Sequence, residues 1–346
     1  MKKKILALIL ACAMILALAA CSGSANTEQP AAENTASDAA EAPAASEETA
    51  ASAEGKTYTV GVCQLVQHEA LDAATQGFCD ALTEVLGDAV TIDVQNASGD
   101  SVNCGTIVNG FVSKNVDLIM ANATPALTAA ASATADIPIL GTSITAYGVA
   151  LDIADFSGTV GGNISGTSDL ADLSAQAQMI LDWFPETQKV GLLFCSAEPN
   201  SRYQIEEVAK YLADKGVETE EFAFTDTNDV ASVTQSAADY SDVVYIPTDN
   251  TAAANTEAIG NVLIPAGVPA ICGEEGICRG CGVATLSISY YDLGVTTGKM
   301  AAKILTGEAN ISEMPVEFTD ATPKYNPSVC EQLGITPLEG YEAIEG

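Results

Sequence analysis

The stretch VVYIPTDNTAAANTEAIG, Val243 to Gly260, carries the pattern that sets the fold. Four apolar residues, Val243 to Ile246, run into the polar tip Pro247-Thr248-Asp249-Asn250, and an alanine-rich segment with helical character follows. A short continuous apolar run of this kind suits a strand buried on both faces, and such a strand feeding a helix is the repeating unit of a parallel α/β sheet. In these sheets ligands sit just beyond the carboxyl ends of the strands. A carboxylate and an amide at that junction are therefore candidates for binding.

The same unit recurs on both sides of this stretch. YTVGVCQL (Tyr58–Leu65) precedes EALDAATQGFCDALTEVL, whose Ala70, Leu71, Ala74, Phe78, Leu82 and Leu86 recur at helical spacing. VTIDV, VDLIM and IPIL repeat the strand pattern, with helices expected from about Ser101 to Ser113 and from Pro125. After the glycine-rich GTVGGNISGTSD a second series begins with a helix from Leu170 to Trp183. It continues through KVGLLF, the helix SRYQIEEVAKYLADKG, VETEEFAF, a short helix near Val230 to Ser236, DVVYI, a helix opened by Thr251, then PAIC and GVATLSI. A long helix from Tyr291 to Leu305 closes the pattern. Two series of similar order imply an α/β protein of two doubly wound parallel-sheet lobes, with a cleft between them at the strand ends.

The amino terminus sets the compartment. Lys2, Lys3 and Lys4 precede an apolar run from Ile5 to Leu16 that ends in LALAAC, which is an export signal too short for a mature membrane span. Leu18-Ala19-Ala20-Cys21 resembles a bacterial lipoprotein cleavage box, so residues 1–20 are expected to be a signal peptide and Cys21 the lipidated first residue. Residues 21–56 contain almost no bulky hydrophobe, and seven acids lie between Glu28 and Glu54. Such a segment cannot bury enough apolar surface to offset its chain entropy and is expected to be a disordered tether. The chain is thus expected on the outer face of the cytoplasmic membrane, held there by lipid.

The remaining body from Thr57 is long enough for two domains with a sizeable core. The whole chain has 46 acidic and 13 basic residues and a formal net charge of −33. That balance excludes nucleic acid as a partner, because binding it depends on lysine and arginine at phosphates. Ten cysteines are present. Cys12 falls in the signal and Cys21 at the lipid site, and the other eight are scattered through apolar or helical contexts, as small core residues rather than a disulfide framework. Cys278 and Cys281 have metal or redox spacing, but no second pair or histidine lies nearby, so no metal is expected and a disulfide or free thiols are the alternatives.

Seven segments together resemble a known family: VGVCQLVQHEALDAATQGFCDAL, QNASGD, VDLIMANATPALTAA, GGNISGTSD, CSAEPNSRYQIEE, VVYIPTDNT and ISYYDLGVTTGKMAAKILTGE. In order and content they look like the type I solute-binding proteins of ATP-driven (ABC) importers, and more closely like the subfamily of tryptophan- and tyrosine-binding lipoproteins. The resemblance implies the type I periplasmic-binding-protein fold with three chain crossings at a hinge. Lobe 1 would then be residues 57–168 plus about 288–314, and lobe 2 residues 169–287 plus about 315–346. It also implies capture of an amino acid, aromatic in this subfamily, for delivery to a permease with its ATPase, by a monomer without a cofactor. A ligand sensor of the same fold for a signalling receptor is the alternative. Two departures from the family stand out: Ala146 and Tyr147 occupy the place of an acid-proline pair before Gly148, and GICRGCG replaces a plainer loop.

Strand carboxyl ends nominate the ligand contacts. In lobe 1 these are Gln64 and His68, Asn96, Thr124 with Pro125, and Thr142; in lobe 2 they are Ser196, Asn200 and Ser201, then Thr248, Asp249 and Asn250, then Glu274 or Glu275. Thr124-Pro125 reads as a helix N-cap with proline in the first turn, where free N–H groups favour a carboxylate; Ser196 to Ser201 offers a similar opening. Asp249 suits the ammonium of an amino acid, with plain helix capping as its alternative role. His68, the only histidine, has no nucleophile motif beside it and is read as a cleft-lining donor. Tyr290 and Tyr291 are read as packing between lobes, and Trp183 and Phe184 as core or rim. GxSxG, GxxxxGK[ST] and HExxH are all absent from the sequence, which speaks against an enzyme.

Overall fold

The computed structural model describes residues 55–345. The expected signal peptide (1–20), the lipidation site Cys21 and nearly all of the expected tether (21–56) lie outside the described residues. Among the described residues no helix is long and apolar enough to cross a membrane.

The first series comprises β1 (Tyr58–Gln64), α1 (Glu69–Leu86), β2 (Val90–Asn96), α2 (Ser101–Lys114), β3 (Leu118–Asn122), α3 (Thr124–Ala133), β4 (Ile139–Ile144), α4 (Tyr147–Ala150) and β5 (Ile164–Ser168). The second runs α5 (Leu173–Trp183), β6 (Lys189–Cys195), α6 (Pro199–Asp214), β7 (Glu218–Phe224), α7 (Val230–Tyr240), β8 (Val243–Ile246), α8 (Asn250–Ala253), α9 (Thr256–Ala266), β9 (Ala270–Cys272), α10 (Glu275–Cys281) and β10 (Ala284–Ser287). The chain then adds α11 (Tyr290–Thr306), β11 (Glu317–Phe318), β12 (Thr322–Tyr325), α12 (Pro327–Leu333) and β13 (Glu342–Ala343).

These strands form two sheets, β11-β5-β4-β3-β1-β2 and β13-β12-β10-β9-β8-β6-β7. All pairings are parallel except that of β10 with β12. Central strands β3, β4 and β8 are buried along their whole length, as strands covered by helices on both faces are; β8 is apolar throughout, whereas β3 and β4 carry polar residues at their carboxyl ends. Each sheet therefore separates two apolar cores, around Phe111 and Leu127 on one face and Phe78 and Met300 on the other in lobe 1. In lobe 2 the two cores centre on Phe224 and Ile259, and on Phe194 and Trp183.

The strand order reverses between β1 and β3 in one sheet and between β6 and β8 in the other. Helices leave opposite faces at such switch points, and the loops diverge to leave a crevice. Register levels the strand tips: Gln64 lies opposite Asn96 and Asn122, and Asn122 opposite Thr142.

The chain crosses between lobes after β5, after β10 and after β11. The last crossing falls at residues 319–321 rather than near 315, because β11 pairs with β5 and Val316 joins the core of lobe 1. α11 returns to lobe 1 and packs against α1 at backbone distance: a Cβ on Gly294 would lie 2.0 Å from the Ala74 carbonyl oxygen, and one on Gly77 2.1 Å from that of Tyr291.

Three local features differ from the sequence expectation. The glycine-rich segment before Leu170 contains β5, whose Gly166 takes φ +143 with no room for a side chain against Gly141. GICRGCG is not a loop but most of α10, capped by Glu274 through the N–H groups of Gly276 and Ile277. The helix expected from Thr251 is two, α8 and α9.

Candidate functional site

A crevice opens where the two switch points face each other. From lobe 1 it is lined by His68, Leu71, Ser143 and Thr145; from lobe 2 by Asn200, Thr248, Asp249, Asn250, Ala253 and Glu274; and from the crossings by Asp169 and Tyr290. The lobes are drawn together over it, leaving about 10 Å³, the room of one water. His68 Nε2 lies 3.3 Å from Asn250 Oδ1 across the gap, and Arg279 of lobe 2 pairs with Glu69 of lobe 1.

The helix starts explain how these side chains are held. His68 is the N-cap residue of α1, and burial lowers its pKa below the usual imidazole value, although Asn250 and the charges of Glu198, Asp72 and Glu69 oppose this. Glu198, placed just before Pro199, turns its carboxylate to α8, accepting from the N–H groups of Asn250 (3.0 Å) and Thr251 (2.9 Å) and from the Asn250 amide (2.7 Å). That grip fixes the loop that presents residues 248–250. Asp249 is a cap: its oxygens accept from the N–H of Ala252 at 2.8 Å and of Cys195 at 2.6 Å. Burial, then the charge of Glu198, pushes its carboxyl up to about 8. Glu274 likewise caps α10, and burial raises it to about 7.

Asp169 differs from both. It sits at the first crossing, 5 % exposed, with Oδ2 accepting from the Tyr290 hydroxyl at 3.0 Å. Its Oδ1 is buried with no hydrogen-bond partner. Burial pushes its carboxyl up to about 6, against the pull of the hydrogen bond from Tyr290. Two further crevice atoms are buried and unpartnered: Asn200 Oδ1 and Ser143 Oγ. The Asn200 amide orientation follows from its Nδ2, which faces three acceptors, Glu198 Oε2, Ser201 Oγ and the Thr248 carbonyl. Ser143, next to last in β4, and Ala123, just after β3, have positive φ, +56 and +88, conformations that cost L-residues on the order of 1–3 kcal/mol and cluster at binding sites.

The structure thus brings His68, Asn200, Thr248, Asp249, Asn250 and Glu274 together at one crevice. Other nominated residues lie elsewhere or are otherwise engaged. Gln64 ties β1 to α1 through Asp72 and Thr75. Asn96 is exposed and caps its own turn at Ser98. Thr142 joins a hydroxyl chain through Thr167 to Thr297 inside lobe 1. Thr124 is the first helical residue of α3, the N-cap position being Ala123, and Pro125 lines the outer mouth of the cleft. Ser196 is exposed and donates to the Phe224 carbonyl, while Ser201 lies behind Asn200.

Sequence reasoning missed Ser143, Thr145, Asp169 and Glu198. Asp169 directly follows a strand that its glycines disguised, and Glu198 precedes a proline at a helix start, which is the one local signal of the four.

The family model for ABC transporter substrate binding protein matches residues 59–341. The chain belongs to that family. A substrate-binding protein of an ABC transporter is a binding component and not an enzyme, and it works outside the cytoplasm. This substrate-binding protein is 33 % identical over 270 residues to a tyrosine-binding protein of Clostridioides difficile, covering 77 % of this chain and 78 % of the relative. The crystal structure of an ABC domain in complex with L-Trp from Streptococcus pneumonia superposes with a TM-score of 0.79 at 31 % identity, covering 84 % of this chain and all of that one. A ligand-free, open substrate-binding protein with adhesive properties from Clostridium difficile gives a TM-score of 0.64 at 32 % identity, covering 84 % of this chain and 99 % of that one. A glucose-galactose binding protein from Geobacillus stearothermophilus and an ABC transporter solute binding protein from Bacillus halodurans with bound myo-inositol, both below 25 % identity, share the fold alone.

The eight cysteines of the body are free thiols. Cys272, Cys278 and Cys281 are buried side by side in lobe 2, and no metal-binding cluster exists among the described residues. Trp183 packs edge-on to Tyr341 at 5.1 Å, a core contact remote from the crevice.

Proposed function

We propose that this protein is the lipid-anchored binding component of an ABC importer, which captures an aromatic α-amino acid, tryptophan or tyrosine, between its lobes and passes it to the permease. What carries the proposal is the convergence of Asp169 Oδ1, Asn200 Oδ1 and Ser143 Oγ, three buried atoms without partners, on one crevice. An unsatisfied buried polar group costs about 1–3 kcal/mol, and native proteins keep few of them without a reason. Two of the three are acceptors, and a primary ammonium has three donors to give. Ser143 Oγ can donate to a carboxylate.

Electrostatics support the same ligand. Asp169, Asp249 and Glu274 line the crevice, and the only basic side chain among its lining residues is His68, whose charged form burial disfavours. A ligand ammonium supplies the missing positive charge at Asp169. The aromatic side chain is supported by the relatives, one named for tyrosine and one crystallised with L-Trp. Closure around the ligand is supported by the higher similarity to the L-Trp complex than to the open, ligand-free relative. In type I proteins the closed arrangement of lobes is what a permease can distinguish from the open one.

Isothermal titration of the purified protein against the twenty amino acids, with nucleosides and short peptides as controls, tests the proposal. Saturable binding of L-tryptophan or L-tyrosine, lost when the α-amino group is acetylated, is the expected result. Binding confined to the nucleosides or peptides would overturn it.

A further inference from the structure

Glu198 breaks the pattern of the helix starts around it. The stretch CSAEPNS places a glutamate directly before Pro199, at the N-cap position of α6, yet its side chain caps nothing in α6. It is buried, and its carboxylate crosses instead to the start of α8. Five donors converge on it: Oε1 accepts from the N–H and hydroxyl of Thr251 at 2.9 and 2.8 Å, and Oε2 from the N–H and side-chain amide of Asn250 at 3.0 and 2.7 Å and from the Asn200 amide at 3.2 Å. All of them belong to lobe 2. Such a set fills the roughly four lone-pair sites of a carboxylate, so Glu198 has none left for a ligand and acts on the crevice only through the groups it holds.

The effect reaches lobe 1 through one amide. A side-chain amide can be turned over without changing its shape, and its hydrogen-bond partners decide between the two orientations. Glu198 offers only acceptors, 2.7 Å away, so the Asn250 nitrogen faces it and Oδ1 points the other way. There Oδ1 meets His68 Nε2 at 3.3 Å, across the gap between the lobes. An amide oxygen accepts and never donates, so Nε2 carries the ring proton. Burial disfavours the charged imidazole, which leaves Nδ1 bare. His68 and Glu69 are consecutive, and Glu69 pairs with Arg279, so the start of α1 is held to lobe 2 at two points, one on α8 and one on α10.

We propose that Glu198 is a positioning residue for lobe closure: by fixing the Asn250 amide it sets the Nε2–H tautomer of His68 and aims a hydrogen bond between the lobes that slows their reopening. The Nε2 proton of His68 is then given to lobe 2 and not to a ligand carboxylate. The tautomer follows from the contacts alone, whereas the effect on reopening rests on the capture and closure proposed above.

His68 is the only histidine in the chain, so untagged protein made with isotope-labelled histidine presents a single ring to NMR. The ring is read in the native protein alone and with saturating L-tryptophan. In at least one of the two, Nε2 is expected protonated and Nδ1 bare, with a ring N–H that exchanges with water at least about tenfold more slowly than in free histidine. Asn250→Ala removes the acceptor but leaves both backbone N–H groups on Glu198, and is expected to abolish that protection. In stopped flow the same variant should release L-tryptophan roughly threefold faster or more, with an association rate within about twofold of native. Glu198→Gln puts an amide nitrogen where only acceptors stood, lets the Asn250 amide turn over, and is expected to move the ring proton toward Nδ1, which a loss of packing alone would not do. If Glu198→Gln does not fold, Asn250→Ala and the native tautomer decide. A bare Nε2 in the native protein, exchange as fast as in free histidine in both states, native protection in Asn250→Ala, or an unmoved proton in folded Glu198→Gln would overturn the inference. A native protein that binds neither L-tryptophan nor L-tyrosine would remove the functional proposal instead, and the ring read in the protein alone would still decide the tautomer.

Discussion

Replacing Asp169 by asparagine separates a ligand contact from a structural one, because the two roles give effects of opposite sign. Asp169 is buried, keeps one oxygen on the Tyr290 hydroxyl and leaves the other unpartnered in the crevice. Asparagine retains the size and an acceptor for Tyr290 but turns a neutral amide, without a charge to offer, toward a ligand ammonium. Losing a hydrogen bond to a buried charged group costs about 2–3 kcal/mol, which is roughly a 30- to 150-fold rise in Kd. Without ligand the effect reverses. The carboxyl value rises from 3.8 to about 6 through burial, so holding the ionised form in the closed protein costs about 3 kcal/mol at neutral pH, an upper bound because opening of the lobes relieves it. Asparagine removes that cost. Titration calorimetry with L-tryptophan, paired with thermal unfolding of the unliganded protein, should show affinity down 30-fold or more and Tm unchanged or a few degrees higher. Unchanged affinity, or a loss of affinity accompanied by a lower unliganded Tm, would refute the assignment of Asp169 as the ammonium acceptor.

The raised carboxyls of Asp169 and Glu274 also set a pH dependence. Both values lie above the ordinary ones, so the stability gained by keeping them protonated is full below the ordinary values of 3.8 and 4.5, falls as pH rises, and is gone above about 6 and 7. His68, lowered by burial, acts oppositely below its ordinary value of 6.5. The unliganded Tm should therefore fall progressively from about pH 4 to about pH 8, and an Asp169→Asn, Glu274→Gln variant scanned by calorimetry should show a flatter profile, steepest where Asp249 alone still titrates. Gly294→Ala gains about 1 kcal/mol of helix propensity but drives a methyl into the Ala74 carbonyl, a contact between two backbones that cannot both give way. A net loss of about 1–3 kcal/mol is expected, read as a lower denaturant midpoint, and an unchanged midpoint would show that α1 and α11 can separate without cost. Arg279→Ala removes an ion pair across the cleft mouth whose partners are 36 % and 54 % exposed. Such pairs contribute about 0–1 kcal/mol, so L-tryptophan affinity should fall no more than about fivefold, and less in 0.5 M salt.

The order of most strands and helices and the two-lobed α/β class were legible in the sequence. Buried parallel strands must be continuous apolar runs, and helices over a sheet must repeat every three to four residues, so both write themselves into local pattern. Val243–Ile246 and Glu69–Leu86 are of this kind. β5 was not legible because Gly166 serves a close strand approach and carries no apolar side chain to mark it. α10 was hidden because its glycines read as a loop while its stability comes from the Glu274 cap and buried cysteines.

The sequence by itself also determined which loops face the cleft, since polar residues after buried strands lie at carboxyl ends whatever the details of packing. What only the tertiary structure decided was which polar atoms there are already spent. Asp249 and Asp169 both follow strands, yet Asp249 gives its oxygens to backbone N–H groups of its own lobe, whereas Asp169 keeps one oxygen free at the crossing between lobes. Local sequence cannot make that distinction, because a carboxylate's partners come from residues as distant as Tyr290, brought near only when the chain has crossed the hinge and returned.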